Sequence, residues 1–300
     1  MNKDDEKIFI SIIVPTFNRS KLLKATIQSI FGQTHQYFEL LIVDDGSTDD
    51  TKSIIEEIND KRIRYFNVGR TKDIAKVRNF GLKNSNSEYV AFCDDDDLWQ
   101  HDKLEKQARL LVKYDFICTG AELIDADGAK ININKHACSF QHQTFKIYDL
   151  LIGNFVITSS VLFKKDKDNY LFHESDSINS AEDYELWLKI AEKNEIMKID
   201  EPLVLFRKHE NTSTFDTSTV YIGILNSVIR ILSKYKFDSN KKISNYAKYG
   251  IYTTRKVLMN TLFANKKLVS FIETLIKTSL ALFDFRFLVF YFKVIKKNNN

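Results

Sequence analysis

Apolar and polar residues alternate in blocks through roughly the first 120 residues, and the blocks predict strands separated by amphipathic helices. A buried first strand is predicted at 9–14, and Pro15 is expected to end it. In the next segment, 20–31, apolar residues recur at helical spacing and Ser20 is a candidate N-cap. Strands that alternate with helices are typical of a parallel sheet covered on both faces. The sequence therefore predicts an α/β layout of the nucleotide-binding type.

The same unit recurs along the chain. The further predicted elements are a strand that runs into a turn at 39–50, a helix at 51–58, a strand at 63–68, a helix at 75–82 and a strand at 88–93. In such sheets ligands bind at the carboxyl ends of the strands, where the loops converge. Three polar loops should meet there, at 16–19, 44–47 and 94–97.

The alternation becomes irregular after the hairpin turn predicted at Asp127-Gly128. A helix is predicted to begin near Ala181, and the chain beyond His209 is predicted to be helical to its end. We place a domain boundary near residue 215, with an α/β domain at 1–214 and a helical region at 215–300.

Composition narrows the function classes. The chain has 300 residues, of which 44% are hydrophobic and 28% charged, and a net charge of +4. This charge is too mild for a protein of this length to indicate a nucleic-acid partner. The three cysteines form no CxxC pair, and the acidic N-terminus does not resemble a secretory signal. These features favour a cytoplasmic protein without a disulfide framework.

Four consecutive aspartates, at 94–97, directly follow the predicted strand at 88–93. Neighbouring carboxylates raise one another's pKa unless positive charge lies among them. One interpretation is a solvated acidic loop that caps a helix starting near Asp102. The other is a site for a hard divalent cation such as Mg²⁺ or Mn²⁺, which takes carboxylate oxygens and substrate phosphates as ligands.

Five segments, in this order and spacing, resemble the motifs of family 2 glycosyltransferases with the GT-A fold. They are SIIVPTFNRS, LLIVDDGSTDDT, VRNFG, EYVAFCDDDDLW and AEDYELWL. The resemblance covers roughly residues 8–210. It implies a GT-A catalytic domain and an enzyme that transfers a sugar from a nucleotide donor.

The resemblance assigns the donor nucleotide to the first two loops. Asp45 would accept a hydrogen bond from an N–H of uracil, and Asp44 would support its loop. Thr16 and Phe17 would line the base pocket. Their neighbours Pro15 and Asn18 would also contribute to the donor site. The alternative for the Asp-Asp-Gly-Ser turn is a plain turn that caps the next helix.

The diphosphate and the metal are assigned to charged residues further along. Arg78 would neutralise diphosphate oxygens, or would be a solvated surface arginine. Asp94 would contact the ribose, Asp95 would occupy the variable position of the motif, and Asp96 would bind Mn²⁺ or Mg²⁺. His209, in an Arg-x-His segment, would contact the metal or a phosphate, or would be a partly exposed loop residue.

In inverting members of the family the aspartate of the Glu-Asp pair is the general base, which here is Asp183. The alternative is structural, because Ser180 and Asp183 have the spacing of a capping box. Thr158 and Ser159 are candidates for hydrogen bonds to the acceptor.

The last segment, 266–297, is rich in Phe and Leu but is interrupted by charges, so it does not resemble a membrane span. It could pack on its own domain or on a second subunit in a homo-oligomer. The alternative is a peripheral contact with the inner face of the plasma membrane.

The sequence thus predicts a metal-dependent, inverting glycosyltransferase that moves a sugar from a UDP-sugar to a hydroxyl of a growing surface glycan or a lipid-linked saccharide. One alternative is a catalytically silent protein that only binds sugar nucleotides. A nucleotidyltransferase is disfavoured, because it would want a glycine-rich loop after its first strand, and VPTFNRS contains no glycine.

Overall fold

The computed structural model describes residues 8–131, 144–166, 170–174, 181–208 and 217–235, with scattered residues between 243 and 274. The strands are β1 Ile10–Thr16, β2 Phe38–Asp44, β3 Ile63–Asn67, β4 Tyr89–Phe92, β5 Leu98–Trp99, β6 Phe116–Ile124, β7 Thr144–Phe145, β8 Leu162–Lys164 and β9 Ile196–Arg207. The helices are α1 Ser20–Phe31, α2 Thr51–Ile58, α3 Ile74–Asn84, α4 Lys103–Ala108, α5 Ile147–Ile152, α6 Glu182–Ala191 and α7 Thr217–Tyr235, and a 3₁₀ turn spans Thr158–Ser160.

The described strands form one mixed sheet in the order β3-β2-β1-β4-β8-β6-β9-β5, with β7 paired to β9. The first four strands are parallel, as predicted. β8 runs antiparallel to both β4 and β6, whereas β6 and β9 are parallel. The prediction of an α/β fold is confirmed, and the irregular second half of the sequence supplies the mixed part of the sheet.

Helices cover both faces of β1, every residue of which is buried. On one face Ile12 and Val14 belong to the same core cluster as Leu23 and Ile27 of α1. On the other face a Cβ at Gly81 of α3 would lie 2.5 Å from the Ile13 side chain, so only glycine allows α3 this close. The parallel strands are therefore apolar throughout, as expected of a sheet buried on both sides.

Two sequence predictions about local structure were wrong. β1 does not end at Pro15 but continues to Thr16, with Pro15 opposite Val43 of β2. Proline is tolerated there because the pairing with β4 has already ended at Ile13, so no partner strand needs its missing N–H. Ser20 is not an N-cap; it is the first residue of α1, and its N–H donates to the Asp49 carboxylate at 3.0 Å.

The chain divides into two compact units. One comprises 1–146, 155–174 and 189–212 and contains the sheet, and the other comprises 147–154, 175–188 and 213–300. In the second unit the Tyr184 hydroxyl donates to the Leu150 carbonyl of α5 at 2.7 Å. The predicted boundary at 214/215 stays a prediction. The segment 266–297 lies almost entirely outside the described residues, among which no helix is long and apolar enough to cross a membrane.

Candidate active site

The three loops predicted to converge do meet at the carboxyl ends of the parallel strands. Thr16, the last residue of β1, lies opposite Asp44, the last residue of β2. The Asp45 N–H donates to the Thr16 carbonyl at 2.9 Å, and the Thr16 hydroxyl donates to Asp95 Oδ2 at 2.7 Å. Thr16 thus connects the second loop to the acidic loop, which we define as residues 94–97.

Asn18 joins the first two loops, and the Asp44 side chain holds the second loop and contacts β3. The Asp44 carboxylate accepts the Ser47 N–H at 2.8 Å and the Tyr65 hydroxyl at 2.6 Å. Burial, together with this aspartate, raises the pKa of Tyr65 to about 12. Asn18, which has a φ of +51°, accepts the Thr48 N–H through its side chain at 2.7 Å. The contacts of Asp44 are those of a residue that supports its loop.

Asp45 is buried and makes its contacts with the loop after β3. Its carboxylate accepts the Thr71 N–H and the Thr71 hydroxyl, each at 2.6 Å, and pairs with Arg70. The Arg70 guanidinium also lies over the Phe17 ring, 3.8 Å from the centroid. Gly46 permits this arrangement, because its φ is +81° and a Cβ there would lie 2.8 Å from the Arg70 nitrogen. One arginine therefore joins two residues that the sequence assigns to the base pocket.

Arg78 and Asp94 are brought together. Arg78 lies on α3, and its Nη2 donates to Asp94 Oδ1 at 2.8 Å. The arginine side chain is almost completely buried, whereas the aspartate side chain is 29% exposed. The next residue, Asn79, exchanges hydrogen bonds with the backbone of Phe172, at 2.9 and 2.8 Å. Arg78 is therefore not a solvated surface arginine.

A second arginine, Arg19, lies against the middle of the acidic loop. Its Nη1 is 2.9 Å from Asp95 Oδ1 and 2.7 Å from Asp96 Oδ2. Burial raises the pKa of Asp95 to about 6, and Asp96 adds to this, while Arg19 and Thr16 oppose it. One guanidinium shared by two carboxylates leaves the loop with excess negative charge.

The fourth aspartate, Asp97, is fully buried. Burial raises its pKa well above the ordinary value, and the charges of Asp94 and Asp96 act in the same direction. Its carboxylate accepts the Ser159 hydroxyl at 2.5 Å and the Arg207 N–H at 2.9 Å. The acidic loop is therefore not a simple solvated loop, and its aspartates lie in different environments.

The acidic loop fits a hard divalent cation of the kind the family implies. Asp94 and Asp96 offer carboxylate oxygens, the ligand type that Mg²⁺ and Mn²⁺ prefer. Within the described residues no group of three His, Cys, Asp or Glu side chains could hold a metal alone. Further ligands for such a cation would have to come from substrate phosphates and water. His209, the other predicted ligand, lies outside the described residues.

Asp183 lies in the first turn of α6, within a second compact unit of the chain. It is half-buried, and its Oδ1 accepts the N–H of Tyr184 at 2.6 Å. Glu182 and Glu185 share this first turn, where acidic side chains favour the helix dipole. Ser180, the other half of the predicted capping box, lies outside the described residues. The role of Asp183 as a base stays a prediction.

Sequence reasoning missed Arg19 and Arg70 as partners of the site. Arg19 stands inside one of the quoted motifs, and Arg70 follows a strand whose carboxyl end lies at the same edge, so convergence of loops could have indicated both. The prediction that Ser159 binds the acceptor was wrong, because its hydroxyl is buried and accepts the Asp94 N–H besides donating to Asp97. Thr158 is buried as well.

Comparison with known proteins identifies the family of this chain. The model of the family described as glycosyl transferase family 2 matches residues 11–172. A glycosyltransferase of Rickettsia felis is 36% identical over 231 residues, which are 75% of this chain and 37% of the relative. The Escherichia coli UDP-Glc:alpha-D-GlcNAc-diphosphoundecaprenol beta-1,3-glucosyltransferase WfgD is 29% identical over 206 residues, 64% of this chain and 73% of that protein. The chain thus spans little more than a third of the Rickettsia relative.

Solved structures agree on the fold. Staphylococcus aureus TarS 1-349 in complex with UDP-GlcNAc superposes with a TM-score of 0.72 at 19% identity, over 92% of this chain and 82% of TarS. The Pyrobaculum calidifontis mannosyltransferase PcManGT in complex with GDP-Man and Mn2+ gives a TM-score of 0.50 at 15% identity, over 93% and 84% of the two chains. At these identities the likeness supports the GT-A fold and nothing finer. Because the family model covers more than half of the sequence, the chain belongs to glycosyl transferase family 2.

Proposed function

We propose that this chain is a metal-dependent, inverting glycosyltransferase that moves a sugar from a UDP-sugar to a hydroxyl of a growing surface glycan or a lipid-linked saccharide. The observation that carries the proposal is the shared sheet edge, where the acidic loop lies beside the cluster of Phe17, Asp45 and Arg70. The names of relatives support the substrate classes, since WfgD uses UDP-Glc and a diphosphoundecaprenol-linked acceptor.

The nucleotide base would bind at Phe17 and Asp45. The guanidinium of Arg70 already stacks on Phe17 at 3.8 Å, so the ring face accepts a planar partner. Asp45 offers carboxylate oxygens that could accept an N–H of uracil once the arginine moves aside. Pro15, Thr16 and Asn18 would complete this wall of the donor site.

The diphosphate would lie over the acidic loop. Asp96, with His209, would hold Mn²⁺ or Mg²⁺, and Asp94 would contact the ribose beside Arg78. The bound cation supplies positive charge that stabilises the leaving nucleoside diphosphate. Arg19 and Arg78 supply further positive charge from the protein, at the edge of the sheet where negative charge develops in the reaction.

Sugar transfer needs a base at the acceptor. The acceptor hydroxyl oxygen forms a bond to the anomeric carbon from the face opposite the diphosphate, and the bond from that carbon to the diphosphate oxygen breaks. Asp183 would take the hydroxyl proton as the oxygen attacks. The Asp183 side chain is half-buried, so part of it stays accessible to solvent.

The acceptor class suggests where the enzyme works. A lipid-linked saccharide would be met at the inner face of the plasma membrane, so we propose a cytoplasmic enzyme with peripheral membrane contact through 266–297. Contact between two copies of the chain through this segment is the competing arrangement, and binding to vesicles of anionic lipid would separate the two.

The proposal is tested by a thermal-shift panel of UDP, GDP, dTDP and CMP, each with Mn²⁺, Mg²⁺ or chelator. A ligand at a hundred times its dissociation constant stabilises a fold by about 2.7 kcal/mol. We expect UDP to give a shift that requires the metal, and Asp96→Ala to abolish the metal requirement together with most of the shift. Asp102→Ala is the matched control, because that aspartate pairs with Lys106 outside the loop.

The base is tested in the same thermal-shift panel together with an assay of sugar transfer. Asp183→Asn should bind UDP and metal as the wild type does and should lose sugar transfer. If UDP stabilised the wild type equally with Mn²⁺ and with chelator, the metal assignment would be wrong. Binding without transfer to any acceptor would favour a protein that only binds sugar nucleotides.

A further inference from the structure

Asp97 differs from the other three aspartates of the acidic loop in where its side chain lies. Asp94, Asp95 and Asp96 pair with arginines, whereas Asp97 is fully buried. Its Oδ2 accepts the Ser159 hydroxyl at 2.5 Å, and its Oδ1 accepts the Arg207 N–H at 2.9 Å. The carboxylate thus joins the 3₁₀ turn at Thr158–Ser160 to the last residue of β9.

The same neighbours hold the backbone of the acidic loop. Ser159 Oγ accepts the Asp94 N–H at 3.0 Å, and Arg207 Nε donates to the Asp96 carbonyl at 2.9 Å. The Thr26 hydroxyl lies 3.0 Å from the Asp95 carbonyl oxygen and 2.8 Å from that of Asp97. Each residue of the loop is therefore fixed by a group from another element of the sheet unit.

The Arg207 guanidinium binds backbone carbonyl oxygens, one of which belongs to the acidic loop. Its guanidinium donates to the carbonyls of Asp125 and Ala126 at 3.1 and 2.8 Å, in addition to Asp96, and the residue is buried. The segment that begins with Arg207 leads, two residues later, to His209. Asp97 therefore connects the acidic loop to the strand end from which the other predicted metal ligand follows.

Carboxylates that bind a metal or a ribose hydroxyl must be held close to their productive positions by the residues behind them. We infer that Asp97 is a positioning residue, whose buried carboxylate sets where Asp94 and Asp96 present theirs to the donor. This inference rests on the proposed function. Loss of such supporting partners typically weakens metal binding by about 10- to 100-fold.

The test compares Asp97→Ala with Glu39→Ala. Glu39 is a matched control, because it is a buried carboxylate on the same sheet that also accepts a serine hydroxyl and a backbone N–H. The measurements are the UDP dissociation constant by calorimetry, with Mn²⁺ and with chelator, and the midpoint of urea unfolding. We expect Asp97→Ala to weaken Mn²⁺-dependent UDP binding about tenfold or more and to leave binding in chelator unchanged. Glu39→Ala should lower stability and leave both dissociation constants unchanged.

Asp97→Asn tests rescue, because the amide oxygen can accept the Arg207 N–H and the amide nitrogen can donate to Ser159. It should restore most of the Mn²⁺-dependent affinity. If Asp97→Ala kept the full metal dependence while losing stability as Glu39→Ala does, Asp97 would be structural and the inference overturned. If UDP binding to the wild type did not depend on Mn²⁺, the proposed function would be overturned, and the inference with it. If Asp97→Ala does not fold, Ser159→Ala replaces it, since that variant removes one donor and keeps the carboxylate; unchanged metal dependence there would also overturn the inference.

Discussion

Buried carboxylates at the two ends of one sheet have pKa values that are shifted in opposite directions. Glu39, the second residue of β2, accepts hydrogen bonds from Ser11 at 2.5 Å, from Asn86 at 2.6 and 2.8 Å, and from Arg64 at 2.7 Å. Burial acts to raise the pKa of Glu39, but the hydrogen bonds from Ser11, Asn86 and Arg64 outweigh it, and the pKa is lowered. This end of the sheet is stabilised by its carboxylate.

At the carboxyl end, three carboxylates of the acidic loop form ion pairs with two arginines, Arg19 and Arg78. Asp95 is also buried, but its pKa is raised to about 6 by burial and by the charge of Asp96, which the contacts with Arg19 and Thr16 do not outweigh. Among the described residues, Glu39 accepts four hydrogen bonds and Asp95 two, so the pKa of a buried carboxylate depends on its donors as well as on its burial. The surplus charge destabilises the loop without ligand, and a cation with a diphosphate ligand is suited to such a loop.

The largest effect is expected from Glu39→Ala. The substitution leaves Arg64, Asn86 and Ser11 with unmatched donors, and breaking a buried charged network costs about 3 kcal/mol. Urea unfolding at pH 7 should show this loss in the free energy of unfolding. Glu39 lies five residues from Asp44 along β2, roughly 17 Å at about 3.3 Å per residue, so UDP binding should not change. A change in UDP affinity would show that the two ends of the sheet are coupled.

A smaller effect of opposite sign is expected from Asp95→Asn in chelator. Because the folded pKa of about 6 lies above the ordinary 3.8, the proton is held more tightly in the folded state. Stability therefore falls as pH rises from about 3.8 to about 6, and the full cost is present at pH 7. The difference corresponds to roughly 3 kcal/mol and already contains the attraction of Arg19. An amide offers only one oxygen to the two donors Thr16 and Arg19, so we expect a smaller net gain of about 1 kcal/mol.

The measurement for Asp95→Asn is urea unfolding at pH 7 and at pH 4.5. The gain should shrink at the lower pH, where the wild-type carboxyl is already protonated in the folded state. Glu39→Gln is the counterpart, because the folded pKa of Glu39 is lowered. The stabilising contribution of the Glu39 carboxylate is present at pH 7 and is lost as pH falls through that pKa. The two variants should therefore move stability in opposite directions at pH 7; a loss of stability in both would show that the Arg19 pair outweighs the burial of Asp95.

The local parts of this comparison could be predicted from the sequence. Apolar spacing predicted α1 and α2 with the bounds that the structure has, and the parallel strands predicted which loops would meet. The sequence could not predict which aspartate of the acidic loop points inward. That depends on Ser159 and Arg207, which are 62 and 110 residues away along the chain.

The same limit applies to Arg207. It lies in the Arg-x-His segment that contains the predicted ligand His209, and its guanidinium is buried among backbone carbonyls. Nothing in the local sequence distinguishes an arginine that binds phosphate from one that binds carbonyl oxygens. The pairing of distant strands decides what Arg207 binds. β8 lies between β4 and β6, and this arrangement brings the 3₁₀ turn and β9 next to the acidic loop.

The smallest change in stability is expected from Arg19→Gln. The Arg19 side chain is 30% exposed, so solvent screens its pairing with Asp95 and Asp96, and we expect a loss below about 1 kcal/mol in chelator. The same substitution removes the cation that competes with a metal for Asp96, so the stabilisation by Mn²⁺ should be larger than in the wild type. Arg62→Gln is the control, since Arg62 pairs with Asp60 away from the acidic loop and should leave the Mn²⁺ effect unchanged. If Mn²⁺ stabilised Arg19→Gln less than the wild type, Arg19 would be organising the acidic loop for the metal, and the surplus of negative charge would not be what attracts the cation.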